Sequence, residues 1–320
     1  MTRYTYAAYN AAPPDLADRP DDERTWYQIL RDEPLIGGLE LSFRDGLHPG
    51  GVPLLAPLLD PAWRNVVTTI PGTLAGVAAN PAYGLASTDL AGRESALLTA
   101  RALRDDVDAL SEYFGFPAVV AVELHSAPVA RPGASSADHF AESLIEIASW
   151  NWGDVALIVE HADALVPGRV PQKGWLALED EIAATRAASH ASGRRIGHGI
   201  NWGRSAIETG SADGVDAHLG RLRDAGLLDA LMISGASPQP TARSAPWEDV
   251  HLAIADVEPE SLLTSASLAS AVRAVGSTPL TVLGVKVGRA ADAITLGDRL
   301  APGLATLAAL QSIVDRGAAT

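Results

Sequence analysis

The chain has no cysteine. That excludes disulfides, thiolate nucleophiles and cysteine-ligated zinc together, and makes the cytoplasm the expected location. Lysine is almost as scarce, since only Lys173 and Lys286 among the 24 basic residues are lysines. In an Ala- and Arg-rich chain, where surface lysines drift to arginine, a retained lysine points to a place that needs a compact amine of tunable pKa. Chance retention is the competing account. No segment is strongly basic and the net charge is −15, which argues against a nucleic-acid partner. Long apolar runs are missing too: none approaches membrane-spanning length, and the first ten residues lack the pattern of a secretory signal. Phenylalanine is rarer than tryptophan, four against seven.

What the sequence does contain is a succession of short apolar runs. The clearest is residues 155–162, VALIVEHA, too short for a helix and ending in Glu160 and His161. A strand apolar on both faces belongs in a parallel sheet covered by helices. Seven further segments read as its companions: 3–9, 36–43 (which carries Glu40), 65–71 (ended by Pro71 and Gly72), 118–127, 195–203, 227–236 and 280–287. Helical spacing separates them at 21–33, 92–114, 137–149, 179–191, within 210–225, at 259–275 and at 301–314. Eight alternating strands and helices over 320 residues, without linker or low-complexity segment, predict one α/β domain spanning 1–320, a single (β/α)8 TIM barrel. The competing open doubly wound sheet lacks a Gly-rich phosphate fingerprint after the first strand.

In such a barrel the chemistry sits at the C-terminal strand ends. Glu160 is the leading candidate there, because a carboxylate at a strand end is desolvated unless it is paired and so serves as metal ligand, acid or base. A structural ion pair with an arginine is the bland alternative. Glu123 and His125 lie two apart, so both can face the axis. His161 points to the other side of its strand and is assigned to substrate positioning, and His198, flanked by glycines, is set aside. Asp249 and His251 form an Asp-x-His pair in a loop, able to converge on one ion or one water. Lys173 and Trp175 lie in a polar loop after the fifth strand, and Asn201, Trp202 and Arg204 end the sixth. Trp152, Trp175, Trp202 and Trp247 flank predicted strands five to eight, where indoles can stack on sugar rings; rim packing is the alternative.

Four of these segments together resemble the xylose-isomerase-like barrel superfamily, which includes sugar isomerases, epimerases and apurinic-site endonucleases. They are LHSA around His125, IVEHA around Glu160, INWGR with Asn201 and Arg204, and WEDVH with Asp249 and His251. The resemblance implies proton transfer beside a carbonyl, with a divalent ion held by acidic and histidine residues of strands five to eight. Of that ligand set only Glu160 is retained. Asn201 stands where an Asp is expected and Ser234 where a His is expected. The eighth strand offers Gly284 and Lys286 in place of a carboxylate, and Arg204 replaces a metal-binding His of the endonuclease branch. Cations at two such positions repel an ion. A rearranged ion site, if one divalent metal is held, would use Glu160, His125, Asp249 and His251.

The reading is therefore a sugar isomerase- or epimerase-like enzyme acting on a carbohydrate or sugar acid. Glu160, His125, Asp249, His251 and Lys286 are its catalytic candidates. Glu123, His161, Lys173, Trp175, Asn201, Trp202, Arg204 and Trp247 are its substrate-binding candidates. Lys286 with Arg204 would stabilise a developing enolate. A hydrolase or lyase on a modified glycoside and a non-catalytic sugar-binding barrel are the alternatives. The expected partners are a small carbohydrate-like molecule and, where the barrel self-assembles, copies of itself, with neither nucleic acid nor membrane.

Overall fold

The computed structural model describes residues 3–318. Eight strands, all paired in parallel, close in sequence order into a barrel. They are β1 (Tyr4–Tyr6), β2 (Ile36–Ser42), β3 (Asn65–Thr68), β4 (Val119–Leu124), β5 (Ala156–His161), β6 (Ile196–Asn201), β7 (Leu228–Ile233) and β8 (Val282–Val285). Among the described residues ten helices surround or cap them: α1 (Pro20–Asp32), α2 (Val52–Leu55), α3 (Ile70–Ala79), α4 (Leu90–Phe114), α5 (Ala137–Ser149), α6 (Leu178–Ser192), α7 (Trp202–Thr209), α8 (Ala212–Asp224), α9 (Ser265–Val275) and α10 (Leu296–Ala318). Among the described residues, no helix is long and apolar enough to cross a membrane.

The expected barrel is present, with shorter strands than the sequence reading gave. β1 ends at Tyr6, and a 3-10 turn takes up Ala8–Asn10. Three helices were not foreseen, the short α2 among them. Pro71 does not simply end β3; it sits in the first turn of α3, where a missing N–H costs nothing. The sixth strand stops at Asn201, whose side chain accepts from the Arg204 N–H and caps α7. The helix expected from 259 begins only at Ser265, where Thr264 and Ser267 form a reciprocal cap.

Alternation along the strands sorts the core into two layers. Leu157 and Val159 of β5, Ile196 and Ile200 of β6 and Leu39 and Leu41 of β2 pack outward with the helices. Val66, Ala121, Ile158, Ala230, Met232 and Val282 form a separate apolar plug inside the barrel. The next inward position on β2, β4 and β5 is a glutamate: Glu40, Glu123 and Glu160, all buried. The barrel interior thus turns from apolar to charged within two residues of strand rise.

Candidate active site

Three carboxylates on one axis repel one another unless cations or protons intervene. Lys286, directly after β8, supplies the first cation: its Nζ lies 2.5 Å from Glu40 Oε1 and 3.8 Å from Glu160 Oε1. Tyr9 closes this corner, donating to Glu40 Oε1 at 3.3 Å with its ring beneath the ammonium. Arg204, on the first turn of α7, is the second cation. Its Nη1 lies 2.8 Å from Glu160 Oε2, without hydrogen-bond alignment, and its Nε donates to Asp249 Oδ2 at 3.1 Å. Lys173 is the third, paired to Asp249 through Oδ2 and 3.9 Å from Asp163 Oδ1. Its loop is tied down by Asp163, which accepts from the N–H groups of Gln172 and Lys173.

These neighbours decide protonation. Glu160 is desolvated, yet Arg204, Lys286 and His125 hold its carboxyl well below the usual range, so it is ionised. Asp249 is held down likewise against its burial, by the charged Lys173 and Arg204. Glu123 has no partner on either oxygen; burial, with Glu160 and Glu40 beside it, pushes it well above the ordinary value, and it carries a proton. Burial raises Glu40 as well, while the Lys286 ammonium 2.5 Å away favours its charged form; with Glu40 charged, three anions (Glu40, Glu160 and Asp249) face three cations.

His125 bridges Glu160 and the third strand's end: Nε2 is 2.8 Å from Glu160 Oε2 and Nδ1 is 2.9 Å from Thr69 Oγ1. Burial lowers its pKa to about 4, so the ring is neutral. The ionised Glu160 then takes the Nε2–H, and the Thr69 hydroxyl shares its one hydrogen between Nδ1 and the Glu123 carbonyl oxygen 3.0 Å away. His251 is also neutral, lowered by burial to about 3. Its Nδ1 lies 3.3 Å from Asp249 Oδ1, and its backbone takes the unusual φ of 53°. Both groups, with Asn10, Arg243, Arg289 and Arg299, line a cavity of about 610 Å³ at the C-terminal mouth of the barrel. A second cavity, about 510 Å³, opens at the opposite end between Arg3, Arg64, Val272 and Leu280, away from every group described above.

Buried neutral histidines make stability depend on pH with a definite sign. Both rings have folded pKa values below the unfolded 6.5, so the unfolded chain takes up protons first as pH falls. Their contribution is intact above pH 6.5 and is lost as pH falls from there toward 3–4. Thermal melts are expected to drop steadily between pH 6.5 and 4.5. The His125→Gln variant should show a shallower drop between pH 6.5 and 4.5; an unchanged slope would mean the ring is already charged in the fold.

Of the expected site residues, Glu160, His125, Glu123, Lys173, Arg204, Asp249, His251 and Lys286 do converge. Others do not. His161 alternates outward and is paired with Glu181 and Glu208 of the helices, away from the axis. Asn201 Oδ1 is spent on capping and on accepting the Ser234 hydroxyl at 2.7 Å, which leaves only its buried Nδ2 without a partner. Trp202 is buried in the strand–helix layer, and Trp175 is buried edge-on to His125, with 5.7 Å between ring centroids. Trp247 is covered by the Arg169 guanidinium at 5.2 Å. No tryptophan lines the cavity at the mouth, so the indoles pack instead of offering a stacking face.

The proposed ion site also needs correction. Among the described residues, Glu160, His125, Asp249 and His251 do not bring ligand atoms to a common point. Arg204 lies between the two carboxylates instead, and Lys286 stands where the isomerase pattern has a carboxylate. The axial donor set does not fit a divalent ion.

Glu40, Tyr9, Arg243, Arg289 and Arg299 were not singled out from sequence. Glu40 had a usable signal, a lone carboxylate in the apolar run IGGLELS. The three arginines had none, because nothing distinguishes them from the chain's other arginines until the barrel closes.

A closed parallel barrel with its polar groups gathered at the strand ends is a (β/α)8 barrel, a fold that solved structures of several other proteins share. A D-psicose 3-epimerase solved in the presence of D-fructose superposes with a TM-score of 0.50 at 13% identity, over 98% of this chain and 97% of that one. A candidate sugar phosphate isomerase/epimerase of Anabaena variabilis gives 0.56 at 13% identity, over 98% and 100%. SacUVDE gives 0.54 at 12%, over 98% and 99%. The chain itself belongs to the family described as Domain of unknown function (DUF4862), whose model matches residues 6–301. An uncharacterized protein of Salmonella typhimurium (strain LT2) is 33% identical over 288 residues, 89% of each chain.

Proposed function

We propose that the protein is an isomerase or epimerase that moves a proton at the carbon beside the carbonyl of an anionic carbohydrate, a sugar acid or sugar phosphate, without an ion at the barrel axis. The observation that carries this reading is the neutral His251 on the wall of the mouth cavity, beside an ionised Asp249. A neutral imidazole can accept a proton, and an anionic substrate entering the cavity beside Asp249 would raise its basicity toward the working pH. Asp249 stabilises the imidazolium formed when the C–H proton is taken, and the same ring returns the proton to the neighbouring carbon, or to the original carbon on its other face once the planar enediolate has turned over. Arg289 and Arg299 line the cavity and, among the described residues, form no ion pair with a carboxylate, so they suit the substrate's anionic group. Arg204 and Lys173 hold Asp249 in place. Glu160 is a positioning residue that anchors Arg204 and His125. The sugar epimerase and isomerase-like neighbours support the substrate class by analogy of fold alone.

The test is solvent-deuterium exchange across a panel of sugars, sugar acids and sugar phosphates. Incorporation at the carbon next to the carbonyl is expected for an anionic member of the panel. A ligand that raises the melting temperature with no exchange would instead make the protein a sugar-binding barrel. That outcome has its own motive: two of the site carboxylates, Glu160 and Asp249, are already engaged by cations. Because Asp249 and His251 act as a unit, His251→Gln and Asp249→Asn should each cut exchange per folded molecule by about a hundredfold, the scale of one general base. The double variant should lose little more. Additive losses would separate the two roles.

A further inference from the structure

A second cluster of titratable groups lies behind β5, outside the barrel wall. His161 is the residue after Glu160 and so faces the opposite way, toward Glu208 of α7 and His218 of α8. His161 Nε2 is 2.8 Å from Glu208 Oε2, and His218 Nε2 is 3.8 Å from Glu208 Oε1. The two imidazoles meet edge to face at 5.4 Å. One ligand atom from each of the three residues lies within 4.8 Å of the others.

We infer that His161, Glu208 and His218 form a site for one divalent transition ion of the zinc type, held by two imidazole nitrogens and a carboxylate. Tetrahedral zinc with bonds of about 2.0–2.2 Å needs ligand atoms roughly 3.3–3.5 Å apart, so only sub-ångström side-chain shifts separate this arrangement from a ligand set. Two imidazoles and an oxygen, with no thiolate, suit zinc, nickel or copper over calcium or magnesium. The remaining nitrogens are already oriented. His161 Nδ1 is bonded to Glu181 Oε2 at 2.6 Å and His218 Nδ1 to Ser205 Oγ at 3.1 Å. Glu181 in turn accepts from Ser126. A carboxylate on the far nitrogen of a ligating histidine fixes its tautomer and raises its basicity. An ordinary buried ion pair does not call for a second imidazole turned toward the same carboxylate.

Access and stoichiometry follow from the same geometry. His161 is sealed, whereas the Glu208 and His218 side chains are 10% and 15% exposed, so the ion enters from the α7–α8 side and keeps a position for water. On binding, the proton between His161 Nε2 and Glu208 leaves to solvent and the metal bonds to both atoms. No redox change is involved. The ion fastens α7 and α8 to β5, and α7 is the helix that carries Arg204. This assignment does not depend on the proposed reaction.

The experiment uses the full-length chain, stripped with chelator and titrated with zinc sulfate by calorimetry in buffers of different ionisation heat. One zinc per chain, about one proton released and a raised melting temperature are expected. His218→Gln should weaken binding by about a hundredfold or more, since even outer partners of metal ligands cost 10–100-fold. Glu160→Gln and Asp249→Asn, on the axis, should bind zinc as the parent does. Absence of micromolar binding would overturn the assignment, as would binding that survives His218→Gln and disappears in Asp249→Asn. If His218→Gln does not fold, the cobalt spectrum of the parent protein decides. Intense four-coordinate bands support the site, and weak six-coordinate bands refute it.

Discussion

Lys286→Met is expected to destabilise the fold by about 3–5 kcal/mol, the usual consequence of removing one member of a buried ion pair. The ammonium is wholly buried, with Glu40 and Glu160 as its partners. Methionine fills similar space but leaves Glu40 without its counter-ion, and that carboxyl, already raised by burial, would take up a proton. Chemical denaturation at pH 7.5 measures the loss. Neutralising both ends in Glu40→Gln/Lys286→Met should recover much of it, because the cost lies in the orphaned charge. A methionine variant as stable as the parent would place the amine in contact with water. The sequence reading made Lys286 a catalytic candidate; its ammonium, buried against Glu40 and Glu160, also serves as a structural counter-charge.

Arg204→Met should be at least as damaging, again about 3–5 kcal/mol, since one guanidinium serves Glu160 and Asp249 together. Arg204→Lys is expected to rescue little, because a point charge cannot contact two carboxylates through separate nitrogens. Arg204 is the foremost of the charges holding Glu160 down, so in the methionine variant the Glu160 carboxyl should titrate at higher pH, observable by carbon NMR of labelled glutamate. An unshifted Glu160 resonance would show that Lys286 alone keeps it ionised.

The barrel was legible because both-face burial leaves a plain record: runs such as VALIVEHA and LTVLGVKV have one structural home, and their number and spacing close a barrel. Strand-end parity carried much of the site as well. Glu160 and Glu123 could be placed on the axis, and His161 off it, by counting residues. Strand ends were less legible. Asn201 looked like a strand residue with a ligand's chemistry, and only the turn into α7 reveals a cap. The tryptophans misled for a related reason, since an indole near a strand end is equally suited to covering the rim and to stacking on a ring. Which cation meets which anion was not readable at all. Lys173 reaches Asp249 across 76 positions, and that pairing exists only once two loops are folded over the same mouth.

The Glu40–Lys286 bond joins residues 246 apart, from the second strand to just past the last. Nothing local can form it, and the loop it closes is most of the chain. Its entropy must be lost before the contact is made, so the bond belongs to the end of folding, after β8 has docked between β7 and β1. Until then Glu40 and Glu160 have open water to solvate them, and an unclosed barrel is under no pressure to exclude it. Closure therefore desolvates and neutralises in one event. Interactions absent from the transition state govern the rate of unfolding more than that of folding. The charged layer would then act as a latch: it does little to hasten assembly and governs how long the assembled barrel lasts.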